Sequence, residues 1–540
     1  MTQFLSRTAW DARCRRIEAQ QLAPNLGAQV DLAAAAFGER PAVVMLGSGE
    51  TLSFEGMRRL ANRLANTLAA RGVGKGTRVA LMSWNMPAVP ALWFALAKLG
   101  AVLVWVNARY TPRELAYVVD DSWAEHVVLH PALAGTWDGI ADKPIRVAPA
   151  NVLGLGPGTP WPDLLALAER ASDEFRPRTA VGPDDLLNLQ YTSGTSGFPK
   201  GCMIPHRYWL VAGSGEHQLL GFRLRRALYN QNLFYVDGPI FLALGLFAGN
   251  ALYVAERPSA RHFVPWVRRH GLEYCYFFEA LYRQPPTAED AGCGLRLVHT
   301  FGFSPPEHAA LERRYGVLAR EAYGMTECGS ALHMPLEAAD MVGSGSCGWP
   351  APYRRASVRN DAFEELPPGE TGELWLAGDG LMHGYHNRPE DNARTFRDGW
   401  MRTGDLFRCD ERGYFSIVGR LKDMIRRNAE NIAVREVEAV LRAMPGIAEA
   451  AVVAVPDAVV GEEVKAYVQL EAGFSREQVR PEAILAHCRA GLAPFKVPRY
   501  LAYRDAFPKT DSDRVEKKKL TAGEADLREG AFDCIDGVWR

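Results

Sequence analysis

The chain has 540 residues and 48% of them are apolar, so it exceeds what one hydrophobic core usually serves and at least two domains are expected. Its 62 basic and 63 acidic side chains leave a formal charge of −1, which argues against a sequence-wide design for binding nucleic acid or an anionic membrane. Nine cysteines without a C-x-x-C pair fit reduced thiols, and the charged amino terminus has no signal-peptide core, so a cytoplasmic protein is predicted.

The first part of the chain alternates helix-like and strand-like segments. The charged, Ala/Leu-rich stretch FEGMRRLANRLANTLAARG predicts a helix, and RVALMSW, AVLVWV and HVVLH predict strands. Residues 86–107 approach the apolar length of a membrane span, but Lys98, Gly100 and two prolines interrupt them. A buried helix from about Pro90 to Leu99 followed by a parallel strand is predicted instead, and residues 241–256 repeat this pattern. The alternation predicts parallel sheets flanked by helices and no integral membrane segment.

The pattern changes near residues 360–420, where PPGETGELWLAGDG and DGWMRTGDLFRCDERGYFSIVGR indicate short strands and turns. After Arg420 a charged connector leads into a helix and a strand that could open a small α+β domain. We therefore expect a boundary near residue 420, which gives a domain of residues 1–420 and a second of residues 421–540.

The segment YTSGTSGFPKG, residues 191–201, predicts a loop that binds polyphosphate. Its three glycines let the backbone turn tightly and point amide hydrogens into one concavity, while hydroxyl groups add donors and Lys200 adds a charge. The spacing differs from the common P-loop, because Gly201 rather than serine or threonine follows Lys200. A glycine-rich surface turn is the alternative.

Five motifs occur in a fixed order over almost the whole chain: TSGTSGFPKG, YGMTE, GELWLAG, TGDL and GRLKDMI. Together they resemble the AMP-forming acyl-CoA synthetase, adenylation-domain and luciferase superfamily. FYVDG, ERPSARHF and MIRRNAENI are most similar to its crotonobetaine/carnitine-CoA ligase branch. The resemblance implies an α/β fold, with two doubly wound subdomains and a β-rich subdomain in a large N-terminal domain and a small, mobile α+β C-terminal domain.

The resemblance also implies two half-reactions with ATP, Mg²⁺ and CoA, in which a carboxylate displaces pyrophosphate to form an acyl adenylate and a thiol then displaces AMP. ATP would contact Thr192, Ser193, Gly194, Thr195, Ser196, Gly197, Lys200, Tyr323, Gly324, Asp405 and Arg420. Thr326 would contact the α-phosphate, Glu327 would bind Mg²⁺, and Asp423 would serve as the hinge. Preorganised donors and metal are what a departing pyrophosphate requires.

Two segments depart from the family pattern. In FPKTDSDRVEKKKL, Asp513 and Arg514 occupy the positions of the usual glycine and catalytic lysine. Either Arg514 takes the lysine's role, or Lys517 does so from the same helical face. Ala429 stands where glycine usually precedes a Glu-Asn pair in the loop near the CoA arm, which puts the thiol acceptor in question without excluding CoA.

The last question for the sequence is which acid would be activated. The resemblance places Tyr235, Asp237, Phe278, Glu279 and Phe303 at an acyl pocket, where charge and cation–π attraction could receive a cationic tail. Structural pairing of Glu279 with Arg283 is the alternative. The function predicted is ligation of a small or medium carboxylate to CoA. The alternatives are a stand-alone adenylation enzyme that loads an amino or aryl acid onto a carrier protein, a luciferase-like oxidoreductase and a weakened binding homologue. A homodimer is left open, and nucleic acid is not expected as a partner.

Overall fold

The computed structural model describes residues 5–192, 199–421, 424–427, 430–457, 459–509, 515–524 and 526–540. By its internal contacts the chain divides into two compact units. The first unit runs to Ala356 and includes Leu376–Arg402, and the second consists of Ser357–Trp375 and the chain from Thr403 onward. The two are described separately. The predicted boundary near residue 420 stays a prediction.

Helices occur throughout both units. The α-helices are α1 (Arg7–Glu18), α2 (Leu26–Phe37), α3 (Phe54–Ala69), α4 (Ala88–Leu99), α5 (Pro112–Asp121), α6 (Ala134–Asp138), α7 (Leu164–Glu169), α8 (His206–Leu219), α9 (Asp237–Ala248), α10 (Phe263–His270), α11 (Glu279–Tyr282), α12 (Pro305–Tyr315), α13 (Pro389–Thr395), α14 (Val434–Arg442), α15 (Pro481–Gly491) and α16 (Lys517–Leu520). Side-chain caps begin several of them; α5, for example, opens with a Thr111–Glu114 capping box.

Strands alternate with these helices along much of the first unit. The strands are β1 (Pro41–Met45), β2 (Thr51–Ser53), β3 (Arg78–Met82), β4 (Val102–Val106), β5 (His126–Leu129), β6 (Val152–Gly154), β7 (Leu186–Thr192), β8 (Lys200–Pro205), β9 (Arg226–Tyr229), β10 (Ala251–Val254), β11 (Tyr274–Phe277), β12 (Leu297–Thr300), β13 (Leu318–Met325), β14 (Gly329–His333), β15 (Ser346–Pro350), β16 (Arg354–Arg359), β17 (Thr371–Gly378), β18 (Phe396–Arg397), β19 (Trp400–Cys409), β20 (Phe415–Arg420), β21 (Met424–Arg427), β22 (Glu430–Ala433), β23 (Ile447–Asp457), β24 (Gly461–Leu470), β25 (Tyr500–Tyr503), β26 (Phe532–Asp533) and β27 (Val538–Trp539).

One sheet of the first unit has the strand order β6-β5-β3-β4-β7-β8, parallel except for the last pair. The apolar stretch at residues 86–107 forms α4 and β4, both fully buried, so the predicted buried helix and parallel strand are confirmed. Gly100 ends the helix with φ 69°, in the left-handed region that glycine adopts without steric cost. In the described residues no helix has the length and apolarity needed to cross a membrane.

The second sheet of the first unit contains the strand order β15-β14-β13-β12-β11-β9-β10-β1-β2. Strands β1, β10, β9, β11, β12 and β13 are parallel to one another. Strand β2 is antiparallel to β1, β14 to β13 and β15 to β14. The repeat at residues 241–256 gives the buried helix α9 and the parallel strand β10, as predicted. Two largely parallel sheets with helices confirm the predicted α/β fold, and the carboxyl ends of β9, β11 and β12 lie at one sheet edge, where such folds bind ligands.

The second unit is richer in antiparallel strands. Strands β16, β17, β19 and β20 follow one another in the order β16-β17-β19-β20, which confirms the β-rich region predicted near residues 360–420. A further sheet has the order β22-β21-β24-β25-β26-β27, with β23 also paired to β24. Helices α14 and α15 contribute to its core, where Val437, Leu441, Ile484 and Leu485 are buried. This part is the predicted small α+β region.

Candidate functional site

The predicted phosphate loop connects an antiparallel pair of strands, β7 and β8. Thr192 lies opposite Lys200 in the register of that pair, so the strands hold the two ends of the loop side by side. The hydroxyl of Thr192 lies 3.5 Å from the carbonyl oxygen of Lys200. The predicted phosphate ligands Ser193, Gly194, Thr195, Ser196 and Gly197 fall outside the described residues, and their role stays a prediction.

Lys200, the cation at the start of β8, is paired within the protein. Its Nζ lies 2.8 Å from Oδ2 of Asp391, and both side chains keep about a quarter of their surface exposed. The same Nζ stands 5.3 Å from the ring centroid of Tyr385. Because a partly exposed ion pair contributes little net stability, this lysine can exchange its carboxylate partner for another anion at low cost.

Residues 382–386, here called the edge segment, cover the free edge of β8 and join it to the turn after β13. The amide of Met203 donates to the carbonyl of Gly384, and the amide of Met382 donates to that of Glu327. Within this segment the Tyr385 hydroxyl donates to Oε1 of Glu327 over 2.7 Å. Burial and the neighbouring carboxylate of Glu327 raise the pKa of Tyr385 well above its usual value, so the hydroxyl stays a donor.

The YGMTE residues lie at the end of β13 and in the turn that follows it. Gly324 requires glycine here, because a Cβ atom would meet the carbonyl oxygen of Gly329 at 2.6 Å. The side chain of Tyr323 is largely buried. The carbonyl of Thr326 accepts from the hydroxyl of Tyr208 over 3.1 Å, which fixes the backbone beside Glu327.

A buried arginine that the motifs did not indicate holds the same turn. The Arg354 guanidinium donates to the carbonyls of Cys328 at 2.7 Å and Gly380 at 3.2 Å. It thereby ties the residue after Glu327 to the chain just before the edge segment. No sequence signal marks Arg354, because its role depends on carbonyls that only the fold brings together.

Glu327 is suited to the Mg²⁺ ion that the resemblance implies. Its carboxylate is 8% exposed and oriented by the Tyr385 hydroxyl, and a carboxylate oxygen is the hard ligand that Mg²⁺ prefers. Mg²⁺ commonly takes one or two protein carboxylates and completes its shell with phosphate oxygens and water. The donor present therefore fits the ion.

In the second unit, Asp405 and Arg420 face each other across β19 and β20. They are register partners, and Nε of Arg420 lies 3.2 Å from Oδ1 of Asp405. The aspartate is 6% exposed and its amide donates to the Thr403 hydroxyl over 3.1 Å. The preceding amide, of Gly404, donates to the carboxylate of Glu373. This fixed carboxylate has the bidentate acceptor chemistry predicted for a ribose.

The C-terminal candidates are only partly described. Lys517 begins α16, and its Nζ lies 2.7 Å from Oε1 of Glu438, within the second unit. Arg514, Asp423 and Ala429 fall outside the described residues, so the choice between Arg514 and Lys517 and the hinge stay predictions.

The predicted acyl residues occupy several parts of the first unit. Asp237 begins α9, the Tyr235 ring packs 4.7 Å from Phe234, and Phe303 is buried in the apolar core around β11 and β12. Phe278 precedes α11 and its ring stacks on that of Phe301 at 6.4 Å.

Glu279 occupies a different environment. It is exposed and paired with Arg283 over 2.6 Å, the pairing given as the alternative. Assignment of all five residues to an acyl pocket stays a prediction.

The structure brings together a buried polar cluster that sequence reasoning missed, here called the Glu216 cluster: Glu216, Tyr274, Tyr276, His299, Ser330 and His333. Glu216 is 2% exposed on α8 and faces the sheet formed by β11 to β14. Its Oε1 accepts from Ser330 at 2.6 Å and Tyr276 at 3.1 Å, and Nε2 of His333 lies 3.4 Å away. The side-chain ligand atoms of Glu216, His299 and His333 lie within 4.8 Å of one another, and two imidazoles with a carboxylate are a set that could bind a transition metal.

Burial and the neighbouring side chains of the cluster shift the pKa values of Glu216 and His299. Burial opposes ionisation of Glu216, but His333, His299 and the Ser330 hydroxyl outweigh burial and lower the pKa of Glu216 to about 2. Burial lowers the pKa of His299 to about 3, so that imidazole is neutral near pH 7. No motif could have revealed the cluster, since its members are far apart in sequence and meet only through the order of the strands.

Comparison with known proteins identifies the chain. Residues 30–386 match the family described as AMP-binding enzyme, and residues 436–514 match the AMP-binding enzyme C-terminal domain. A crotonobetaine/carnitine–CoA ligase of Salmonella arizonae is 30% identical over 88% of this chain and 94% of its own. A fatty acid–[acyl-carrier-protein] ligase, ScoC, of Streptomyces coeruleorubidus is 32% identical over 89% of this chain and 92% of its own.

Among solved structures, ATP-bound MatB from Rhodopseudomonas palustris superposes with a TM-score of 0.81 at 27% identity, covering 91% of this chain and 98% of that one. The first family match alone spans well over half of the residues, and the predicted motifs lie in the order expected. The resemblance drawn from the motifs is thereby confirmed: the chain belongs to the AMP-binding enzyme family, that of the AMP-forming acyl-CoA synthetases.

Proposed function

We propose that this chain activates a small or medium carboxylic acid with ATP, forming an acyl adenylate and pyrophosphate, and then transfers the acyl group to the thiol of CoA. The observation that carries the proposal is the arrangement around Tyr385. Its ring contacts the ammonium of Lys200 and its hydroxyl donates to the carboxylate of Glu327, so the cation and the carboxylate predicted to bind phosphate and metal flank one side chain.

Each described residue has a definite task in the first half-reaction. Lys200 would leave Asp391 to pair with phosphate, and Thr192 would donate its hydroxyl at the start of the loop. Glu327 and Thr326 would hold Mg²⁺ and the α-phosphate; the ion, when bound, supplies charge that stabilises the departing pyrophosphate. Tyr323 would offer its ring to adenine, and Asp405 with Arg420 would bind the ribose hydroxyls.

The first half-reaction also requires a cation from the C-terminal region. Arg514 or Lys517 would neutralise the carboxylate and α-phosphate during adenylation, and Asp423 would allow the C-terminal part to turn between the half-reactions. Pyrophosphate release by Arg514→Ala and Lys517→Ala distinguishes the two cations. Undiminished release in both variants would eliminate both.

For the acid, a short-chain substrate such as a carnitine-like acid is proposed on the strength of the 30% identical crotonobetaine/carnitine–CoA ligase. The test is a pyrophosphate-release screen of short-chain, cationic, aryl and dicarboxylic acids, with and without CoA, followed by mass spectrometry of the products. We expect one class to give pyrophosphate and an acyl-CoA. Absence of pyrophosphate with every acid would contradict the proposal.

A carrier protein is the second candidate acceptor, because the 32% identical ScoC is named as an acyl-carrier-protein ligase. Comparing the products formed with and without CoA distinguishes CoA from a carrier protein as the acceptor. An acyl adenylate that accumulates with CoA present, and is consumed only when a carrier protein is added, would favour the second candidate.

A further inference from the structure

The two oxygens of Glu216 are unequally satisfied. Oε1 accepts from Ser330 and Tyr276 and has His333 at 3.4 Å. The described polar atoms near Oε2 are the Tyr274 hydroxyl at 3.4 Å and Nδ1 of His299 at 3.8 Å. Both distances exceed the usual length of a hydrogen bond to a carboxylate. A buried anionic oxygen therefore keeps acceptor capacity that the described residues do not fill well.

The Tyr274 hydroxyl does not meet this demand, because it has a better partner. It lies 2.8 Å from Nδ1 of His299, well within hydrogen-bond length, whereas Oε2 of Glu216 is 3.4 Å away. Tyr274 and His299 thus pair with each other and leave Oε2 with only longer contacts. An additional donor at Oε2 would be stabilised by the surrounding low dielectric.

The Glu216 cluster adjoins the surface on which the acid would be activated. Ser330, which donates to Glu216, is half-buried and pairs in register with Gly324 of YGMTE. On the other side, the Tyr276 ring packs 4.9 Å from the half-buried ring of Phe301, which stacks on Phe278. The cluster thus lies beneath residues at the carboxyl ends of β11 and β12 and beside the last residues of β13, where ligands of this fold class bind.

We propose that Oε2 of Glu216 receives the distal end of the activated acid, and that the enzyme selects acids whose far end donates a hydrogen bond: a hydroxyl, a phenol or a protonated amine. This inference rests on the proposed function, since it assigns the acid of the same reaction. An unsubstituted alkyl tail would leave Oε2 without a donor, which a buried carboxylate disfavours. The carboxylate lies on a different element from the predicted acyl residue Glu279, which is exposed.

The test compares acids of equal chain length, from about four to eight carbons, that end in methyl, hydroxyl or ammonium. For the wild type we expect kcat/KM of pyrophosphate release to favour a donor-bearing series by about tenfold or more. Glu216→Gln should abolish most of that preference, with the larger loss for ammonium because the charge is gone. Tyr276→Phe removes one hydroxyl only, so it should disturb folding less than Glu216→Gln. It should weaken the preference by a smaller factor.

Glu312→Gln is the matched control, because it makes the same change at a carboxylate that pairs with Arg320 elsewhere in the first unit. It should leave the preference unchanged. A wild type without preference, or a preference that survives both Glu216→Gln and Tyr276→Phe, would overturn the proposal. One equivalent of zinc in the purified protein, lost in Glu216→Gln, would make the cluster a metal centre and would overturn it too.

Failure of the proposed function gives a different result, in which no acid releases pyrophosphate in any variant. Calorimetric binding of the same acids in the presence of AMP then tests the recognition alone. Tighter binding of donor-bearing acids by the wild type than by Glu216→Gln would support it, and equal binding of all acids would overturn it.

Discussion

Glu327 and Glu216 are both buried carboxylates of the first unit, yet they are positioned in contrasting ways. Glu327 follows β13 within a sequence motif, and a hydroxyl from the edge segment orients it. Glu216 sits on α8 and is enclosed by side chains from three separate strands. The partner of the first carboxylate comes from a short segment beside its motif, whereas the partners of the second come from strands far apart in the sequence. The predicted metal ligand could therefore be recognised from its motif, while Glu216 could be found only from the fold.

The largest effect is expected at Glu327. Glu327→Gln removes the charge that would hold Mg²⁺, and since losing a residue that only supports a metal ligand costs about 10–100-fold, we expect pyrophosphate release to fall by at least ~100-fold. Steady-state kinetics at saturating ATP measures it. The control is Glu390→Gln on α13, whose side chain is 85% exposed. Near-normal release by Glu327→Gln would show that this carboxylate is no metal ligand.

The next effect concerns stability and pH at Glu216. Its pKa is lowered from 4.5 to about 2 in the folded chain, so its stabilisation is complete above pH 4.5 and is lost as the pH falls towards 2. The whole difference is roughly 3 kcal/mol, of which roughly 2 kcal/mol should disappear between about pH 5 and pH 3. Urea unfolding of wild type and Glu216→Gln should show their free energies of unfolding converging over that range. A constant gap would mean that Glu216 is not the ionised partner.

The next effect is expected at Tyr385, whose hydroxyl donates to Glu327. Tyr385→Phe removes one hydrogen bond to a charged group, worth about 1.5–3 kcal/mol, so we expect the Mg²⁺ concentration for half-maximal rate to rise by about tenfold. The rate at saturating Mg²⁺ should change much less, a split that a general loss of folding would not give. As a comparison, Tyr414→Phe lies in the second unit and should leave the Mg²⁺ dependence unchanged.

The smallest effect is expected at Asp391, which pairs with Lys200. Both side chains are about a quarter exposed, and such pairs contribute about 0.2–1 kcal/mol. Asp391→Asn should therefore lower the KM for ATP by less than about fivefold, because Lys200 no longer has to leave a carboxylate. Lys200→Met should change the KM in the opposite direction. A large rise of KM in Asp391→Asn would indicate that the aspartate positions the lysine for ATP.

The sequence predicted the fold well wherever the signal was local. Helix α4, Gly100 and β4 followed from one apolar stretch broken by a glycine, and the β-rich region followed from closely spaced turn residues. The order of the five motifs likewise indicated the family. These successes share a cause, since each depends on residues that are neighbours in the chain.

The candidate site was predicted less completely. A carboxylate among aromatic residues suggested Glu279, but its place in the first turn of α11 leaves it exposed beside Arg283, one helical turn away. No sequence pattern indicated Glu216, because its partners lie on β11, β12 and β14 and meet α8 only in the folded chain. Arg354 was missed for the same reason, since its acceptors are backbone carbonyls.

The pairing of the edge segment with β8 has a consequence for how the chain is made. During synthesis β8 emerges about 180 residues before the edge segment, and until then its outer edge presents unpaired amides and carbonyls. Such an edge can pair with another nascent chain. Ribosome-bound intermediates that stop short of Met382 should therefore be the forms most prone to aggregate, and the ones for which chaperones matter most.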